Sequence, residues 1–178
     1  MTTTTHIASS EIRSINDQGI FTGYAAVWNQ PDVSGEIISP GAFKTTLRTR
    51  TNKLPVLFAH RSDEPIGIFR VVKEDSYGLY VEGELNLDTL RGRDALTLLK
   101  QGALTGLSIA FIPDSSTPNR DGSRTITKAS LFEISLTPIP AQQLAQVTSV
   151  RSINSAEDEV SDQDLGCIIA ALREFARS

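Results

Sequence analysis

The stretch Leu104-Thr-Gly-Leu-Ser-Ile-Ala-Phe-Ile112 alternates in side-chain character from one residue to the next. Successive side chains of a β-strand point to opposite faces, so Gly106, Ser108 and Ala110 share one face of a predicted strand. The two small neighbours leave space above the Ser108 hydroxyl, where a peptide backbone could lie. The pattern predicts a strand with a serine that a substrate can reach. A serine tolerated on a half-solvated strand is the open alternative.

A second alternating stretch, Leu131-Phe-Glu-Ile-Ser-Leu-Thr137, predicts the partner of that strand. A hairpin turn within 119–122 would place Ser108 opposite Glu133, and a tighter turn would place it opposite Ser135 with Glu133 diagonal. Serine and glutamate share a face in both registers. Alternation predicts an apolar face and a polar face, formed respectively by Phe132, Ile134 and Leu136 and by Glu133, Ser135 and Thr137.

Similar segments recur along the chain and indicate a mainly β protein with flanking helices, of the α+β class. Ser39 is the predicted N-cap of a first helix, 40–48, and Gly102 the predicted end of a second, 90–101. Turn signals that end in glycine separate the strands. The predicted strands are 20–28, 54–60, 66–73, 79–87, 104–112 and 124–136.

Composition excludes several classes of function. The 178 residues are 39% hydrophobic and 21% charged, as in an ordinary soluble globular domain. A net charge of −4 without a Lys/Arg cluster argues against a nucleic-acid partner. No apolar stretch is long enough to cross a membrane and no signal peptide is recognisable, so we expect a protein of the cytosol with no membrane partner.

The chain has two histidines and a single cysteine, Cys167, so an internal disulfide is impossible and a zinc site lacks a spacing motif. We expect no metal and no cofactor. Cys167 lies among apolar residues of a helical pattern and is interpreted as a packing residue, with a cysteine hydrolase as a distant alternative.

The sequence divides into four parts. We expect a disordered N-terminus (1–10), a β-domain (11–141), a polar linker (142–162) and an amphipathic C-terminal helix (163–178). The apolar stripe of that helix could dock on its own domain or on a partner, and the sequence favours neither.

A serine hydroxyl needs a neighbouring base to become a good nucleophile, and histidine has the side chain suited to that role at neutral pH. His6 lies in a terminus expected to fray, whereas His60 ends the apolar run Leu54-Pro-Val-Leu-Phe-Ala59 and precedes a polar turn, 61–65. The candidate catalytic residues are therefore Ser108 as nucleophile, His60 as base and Glu133 as the carboxylate that orients it. Asp63 is the rival orienting residue; a packing His60 and a solvated Glu133 remain alternatives.

The order and spacing of several motifs resemble the prohead protease family of tailed phages, which is similar in fold to the herpesvirus assemblins. The resemblance spans about residues 11 to 150. It rests on Gly23-Tyr-Ala-Ala-Val-Trp28, Glu36-Ile-Ile-Ser-Pro-Gly-Ala-Phe43, Val56-Leu-Phe-Ala-His60 with Pro65-Ile-Gly67, Gly78-Leu-Tyr-Val81, Gly106-Leu-Ser-Ile-Ala-Phe111, and Leu131-Phe-Glu-Ile-Ser-Leu136 with 138–141.

The resemblance implies an antiparallel, assemblin-like β-barrel of about six to seven strands, with His60 and Ser108 at the catalytic positions. Assemblins use a second histidine as the third member of the triad. This chain has no histidine after His60, so Glu133 is the inferred replacement.

The resemblance also implies the activity and the partners. A serine endopeptidase of this family would cut the scaffolding segment of the major capsid protein, and commonly itself, inside the procapsid in the host cytoplasm. The linker around Ser149-Val-Arg-Ser152 is the expected self-cleavage region, with an uncut tether as the alternative. A homo-oligomer is left open. The rival function is a non-catalytic β-barrel module that binds capsid protein during assembly.

Overall fold

The computed structural model describes residues 18–151. The expected disordered N-terminus, the C-terminal helix and Cys167 lie outside this range. Within it, no helix is long and apolar enough to span a bilayer, and no group of three or more His, Cys, Asp or Glu could hold a metal ion. The elements are β1 (Ile20–Val27), β2 (Glu36–Ile38), α1 (Lys44–Thr49), β3 (Pro55–Phe58), β4 (Arg61–Glu74), β5 (Gly78–Leu85), α2 (Leu90–Lys100), β6 (Gly106–Pro118), β7 (Arg124–Thr137) and β8 (Val147–Arg151).

All the strands belong to one eight-stranded sheet, so the predicted mainly β fold with flanking helices is confirmed. The order is β2-β7-β3-β4-β5-β1-β8, and β6 pairs with β7. The sheet is mixed, because β2 and β3 run parallel to β7 while the other pairs are antiparallel. The prediction of a purely antiparallel sheet was wrong, since alternation within a strand does not encode the direction of a partner that is distant in sequence.

The predicted closed barrel of six to seven strands is not confirmed. The path of paired strands runs from β2 to β8 without returning to its start, and β6 is paired with β7 off this path. A single bridge between Gly106 and Gln146 links the start of β6 to the chain just before β8. The sheet therefore curls so that β6 comes near the β1–β8 side without a continuous ladder closing it.

The strand pair β6–β7 carries much of the core. Leu107, Ile134 and Leu136 on its inner face are fully buried. Burying one such aliphatic side chain stabilises the fold by about 1.5–3 kcal/mol. This packing fixes which face of β6 and β7 points outward, and so it also fixes the face that presents Ser108 and Glu133.

Helix α2 follows the prediction closely. The Thr89 side chain accepts a hydrogen bond from the Gly92 backbone N–H at 3.1 Å, which caps the helix. Ala95 and Leu99 are buried against the sheet, and Gly102 takes a positive φ just beyond the last turn.

Helix α1 is shorter than predicted and begins at Lys44 instead of Pro40. Ser39 does not act as an N-cap, because its hydroxyl donates to the carbonyl oxygen of Ile126 in β7 at 3.0 Å. Gly41 has a φ of 90°, which no right-handed helix accommodates. Ser39 is thus bonded to a strand carbonyl instead of to a backbone N–H of the helix.

The segment after β7 is also different from the prediction. Residues 142–151, which we interpreted as the start of a linker, belong to the folded domain because they include β8, paired with β1. Gln142 is buried, and its side-chain amide bonds both backbone groups of Val27. The remainder of the proposed linker, 152–162, lies outside the described residues.

Candidate active site

Ser108 lies near the start of β6, on the face predicted from the sequence, and is only 4% exposed. It lines a small pocket of about 30 Å³ together with Ala25, Ala26, Phe111 and Gln142. Two of these side chains are no larger than a methyl group, which keeps the space beside the hydroxyl open. The serine is thus at the wall of a pocket and not packed wholly into the core.

The register of β6 and β7 corresponds to the second predicted alternative. Ser108 is opposite Ser135, and Ala110 is opposite Glu133, so Glu133 is diagonal to the serine. The hairpin turn alone does not determine this register, because the ladder shifts at three irregularities between the turn and Ser108.

One of these irregularities moves Phe132 out of the predicted apolar face. Phe111 pairs with Leu131 and Ala110 with Glu133, so Phe132 is the extra residue of a bulge. Phe132 is 56% exposed, whereas Ile134 and Leu136 are fully buried. The prediction that Phe132 shares their face was wrong, since a bulge adds a residue and breaks the period of two.

His60 lies in a two-residue turn between β3 and β4, since Phe58 pairs with Arg61. Both turn residues are left-handed, with φ of 48° at Ala59 and 62° at His60. The predicted polar turn 61–65 is instead the beginning of β4. Turns with two left-handed residues normally contain Gly or Asn, and here neither is present, so the local sequence did not reveal the turn.

Two hydrogen bonds to β7 hold this turn in place. The Ala59 backbone N–H donates to the Leu136 carbonyl oxygen at 2.9 Å. The His60 backbone N–H donates to the Ser135 hydroxyl oxygen at 3.1 Å. The histidine is therefore fixed to the strand that lies beside Ser108.

The imidazole of His60 contacts the Glu133 carboxylate, with Nδ1 2.5 Å from Oε1. Its side chain is 43% exposed, and Glu133 is partly buried. A carboxylate at Nδ1 favours the proton on that nitrogen, which leaves Nε2 free to accept another proton. This is the arrangement that a catalytic base requires.

Asp63, the rival orienting residue, faces elsewhere. Its carboxylate lies 3.4 Å from the Arg61 guanidinium, and its side chain is 74% exposed. The hydrogen bond from Arg61 lowers the pKa of Asp63 below its usual value. In the structure the carboxylate that contacts His60 is that of Glu133.

The three candidate residues come from three neighbouring segments. Leu57 of β3, Ser135 of β7 and Ser108 of β6 are aligned across adjacent strands. The turn that carries His60 follows β3 directly and contacts Ser135. The serine, the histidine and the glutamate thus surround one end of the β6–β7 pair.

Comparison with known proteins identifies the family of this chain. The family model of the caudovirus prohead serine protease matches residues 6–159. The prohead protease of Enterobacteria phage HK97 is 35% identical over 153 residues, which covers 83% of this chain and 68% of that protein. The chain belongs to the caudovirus prohead serine protease family. Its function is that of a protease of phage capsid maturation.

Other relatives of this prohead protease family member are more distant. A capsid polyprotein of Pseudomonas phage PAJU2 is 29% identical over 163 residues, which covers 86% of this chain but 23% of that protein. The KSHV protease in complex with a hexapeptide phosphonate inhibitor has a TM-score of 0.55 at 19% identity, covering 88% of this chain and 77% of that one. The bacteriophage T4 capsid assembly protease has a TM-score of 0.53 at 10% identity, covering 66% and 80%. Both structures share the fold.

Sequence reasoning missed two residues around the site of the protease. Ser135 was placed on the polar face without a role, and its contact with His60 bridges 75 positions of sequence. Gln142 was assigned to a linker, although it lines the Ser108 pocket and binds Val27 across 115 positions. No local signal marks either residue, because Ser135 lies on the predicted polar face and Gln142 in a polar stretch of sequence.

Proposed function

We propose that this chain is a serine endopeptidase in which Ser108 is the nucleophile, His60 the general base and Glu133 the orienting carboxylate. The observation that carries the proposal is the contact between His60 Nδ1 and Glu133 Oε1. It leaves Nε2 without this carboxylate, and His60 is bonded through its backbone to Ser135, the residue opposite Ser108 in the β6–β7 ladder. Glu133 lies 73 positions further along the chain, so only the folded sheet brings the two side chains together.

The chemistry follows from these roles. Ser108 Oγ attacks the carbonyl carbon of the scissile peptide while its proton passes to His60 Nε2. The leaving amine takes that proton as the C–N bond breaks, and an acyl-enzyme remains. A water molecule, deprotonated by His60, then attacks the ester and restores the hydroxyl. Glu133 stays ionised and stabilises the imidazolium formed in each half of the cycle.

Ser135 is the other serine at this position of the sheet, and burial argues against it as the nucleophile. It is wholly buried, and its hydroxyl oxygen already accepts the hydrogen bond from the His60 backbone. Ser108 instead lines a pocket and lies on β6. Beyond Leu107, no strand among residues 18–151 pairs with the side of β6 opposite β7. An extended peptide could add to that free edge.

The proposed substrate is the scaffolding segment of the major capsid protein, cut inside the procapsid in the host cytoplasm. Self-cleavage is part of the same proposal and falls after β8, because the backbone of β8 is committed to pairing with β1. Mass spectrometry of the chain recovered after co-expression with capsid protein should show a truncated product ending between residues 151 and 159. Recovery of only the intact chain would count against self-cleavage.

Substitution of the nucleophile tests the catalytic proposal. Ser108→Ala should abolish processing of the co-expressed major capsid protein, since loss of a triad serine costs on the order of 10⁶-fold in turnover. Ser116→Ala, an exposed serine of the same strand, is the matched control and should process normally. A Ser108→Ala variant that folds and still processes capsid protein would favour the non-catalytic assembly module.

A further inference from the structure

Ser135 is a polar residue with no exposed surface, in the middle of the sheet. A hydroxyl in such a place costs free energy unless it is hydrogen-bonded, and an alanine would fill nearly the same volume without that cost. Its neighbours along β7, Ile134 and Leu136, are both apolar and fully buried. The hydroxyl at this position therefore calls for a specific reason.

That reason lies in the turn that carries His60. The Ser135 hydroxyl oxygen accepts the His60 backbone N–H at 3.1 Å. Both residues of the turn are left-handed without being glycine, and each such residue costs about 1–2 kcal/mol relative to ordinary backbone. A strained turn persists only when its surroundings hold it.

Each contact from β7 fixes a different part of the turn. The Leu136 carbonyl holds the backbone of Ala59, Ser135 holds the backbone of His60, and Glu133 holds the imidazole. With 43% of the histidine side chain exposed, packing alone does not hold the ring in place. Without the Ser135 contact, the backbone of His60 would pivot about Ala59, and the ring would follow.

We infer that Ser135 is a positioning residue, whose buried hydroxyl holds the left-handed turn of His60 and so sets the position from which the imidazole serves Ser108. It acts through His60 and does not touch the substrate. The inference rests on the proposed catalytic roles of Ser108 and His60. It adds a fourth residue to the site, one that is directly opposite the nucleophile in the β6–β7 ladder.

A fluorophosphonate probe measures the reactivity of Ser108 without knowledge of the natural substrate. Labelling forms an O–P bond at the serine and releases fluoride, while the hydroxyl proton passes to the histidine. We propose to compare second-order labelling rates of the full-length wild-type, Ser135→Ala, His60→Ala and His60→Ala/Ser135→Ala proteins. Ser39→Ala is the matched control, because it also removes a serine hydroxyl bonded to backbone at 3.0 Å, and Ser39 neither lines the Ser108 pocket nor contacts His60. Thermal unfolding verifies that each variant is folded at the labelling temperature.

Ser135→Ala should label about 10- to 100-fold more slowly than wild type, the range expected when a catalytic group is displaced by about an ångström. Ser39→Ala should stay within about twofold of wild type, since only catalytic geometry is measured. The decisive comparison is in the background without the imidazole. There, removal of the Ser135 hydroxyl should cause no further loss, because its effect passes through His60.

Four results would overturn the inference. Wild-type labelling by Ser135→Ala, with His60→Ala impaired, would remove the role of Ser135 and leave the proposed triad intact. An equal loss in Ser39→Ala, or a further loss of the same size in the double variant, would indicate a general structural effect. Unimpaired labelling by His60→Ala would refute the proposed base, and the inference would fall with it.

Discussion

Two turns of this protein solve the same conformational problem in opposite ways. The turn between β6 and β7 is self-contained: Gly122 takes the positive φ of 87°, and Asp121 accepts hydrogen bonds from the backbone and hydroxyl of Ser123. The turn between β3 and β4 has no glycine, and side chains 73 and 75 positions away hold His60 in place. The conformation of the first turn can be predicted from four adjacent residues. The second exists because β7 supports it, and it carries the proposed base.

This difference teaches where strain is found in the molecule. A turn that only reverses the chain uses residues suited to left-handed backbone. A turn residue that must present an imidazole cannot be glycine. Its left-handed backbone therefore costs free energy, which hydrogen bonds from other segments offset. Substitutions at the β3–β4 turn should therefore change activity, and substitutions at the β6–β7 turn should change stability.

The largest contrast is expected from removing one side chain from each turn. His60→Ala should lower the rate of peptide cleavage by on the order of 10⁶-fold, because the triad acts as a unit. Arg120→Ala, in the exposed β6–β7 turn, should leave the rate unchanged. Quantified processing of co-expressed capsid protein measures both. Near wild-type turnover of the His60→Ala variant would show that the β3–β4 turn carries no catalytic base.

The carboxylate that supports the turn should have the next largest effect. Glu133→Gln should lower turnover by on the order of 10⁴-fold, because an amide at Nδ1 no longer enforces the tautomer that the base needs. Glu84→Gln is the matched control, a strand carboxylate that bonds Arg70 at 2.6 Å away from the site. Equal turnover of the two variants would show that the contact between Glu133 and His60 has no catalytic role.

A glycine exchange between the turns should separate stability from activity. Gly122→Ala should lower the free energy of unfolding by about 1–2 kcal/mol through backbone strain alone, since the added methyl group meets nothing within 4 Å. Ala59→Gly should change stability by less than about 0.5 kcal/mol, because relief of strain offsets the freedom gained by the unfolded chain.

The activities of these two variants should follow the reverse order. Ala59→Gly should lower turnover severalfold as the turn becomes more mobile, while Gly122→Ala should not affect it. Urea unfolding and processing kinetics measure the two properties. Loss of activity in Gly122→Ala without unfolding would contradict the division of roles.

The smallest expected effect is a pH dependence confined to the β6–β7 turn. The hydrogen bond from the Ser123 hydroxyl, reinforced by its backbone N–H, lowers the pKa of Asp121. A carboxyl with a lowered folded-state pKa stabilises the fold above its unfolded value of about 3.9, and that contribution is lost as the pH falls through the folded value. An NMR titration of the Asp121 carboxyl carbon should show a midpoint below about 3.9. A midpoint at or above that value would show that the Asp121 carboxylate does not stabilise this turn.

The sequence could predict those features that depend on neighbours. Alternation placed Ser108 and Glu133 on one face, and the structure has one of the two predicted registers. Gly102 ends α2 with a positive φ as predicted, because the chemistry of a helix end is local. The residues that carry these signals lie within a few positions of the features they specify.

The remainder depends on contacts between distant segments. No glycine or proline beside Phe132 indicates the bulge in the sequence. The backbone of His60 is bonded to Ser135, and the start of segment 142–151 is held by the two hydrogen bonds between the Gln142 side chain and the backbone of Val27 in β1. The parallel pairing of β3 with β7 likewise joins stretches that share no turn. Only a folded sheet brings such partners together.

The most direct test of the central claim is to map where a fluorophosphonate probe reacts. We expect a single adduct on the peptide that contains Ser108, with the rate falling by orders of magnitude in the His60→Ala variant. An adduct on Ser135 or on a residue outside the β6–β7 pair would contradict the account. An adduct on Ser108 that forms equally fast without the imidazole would contradict it as well.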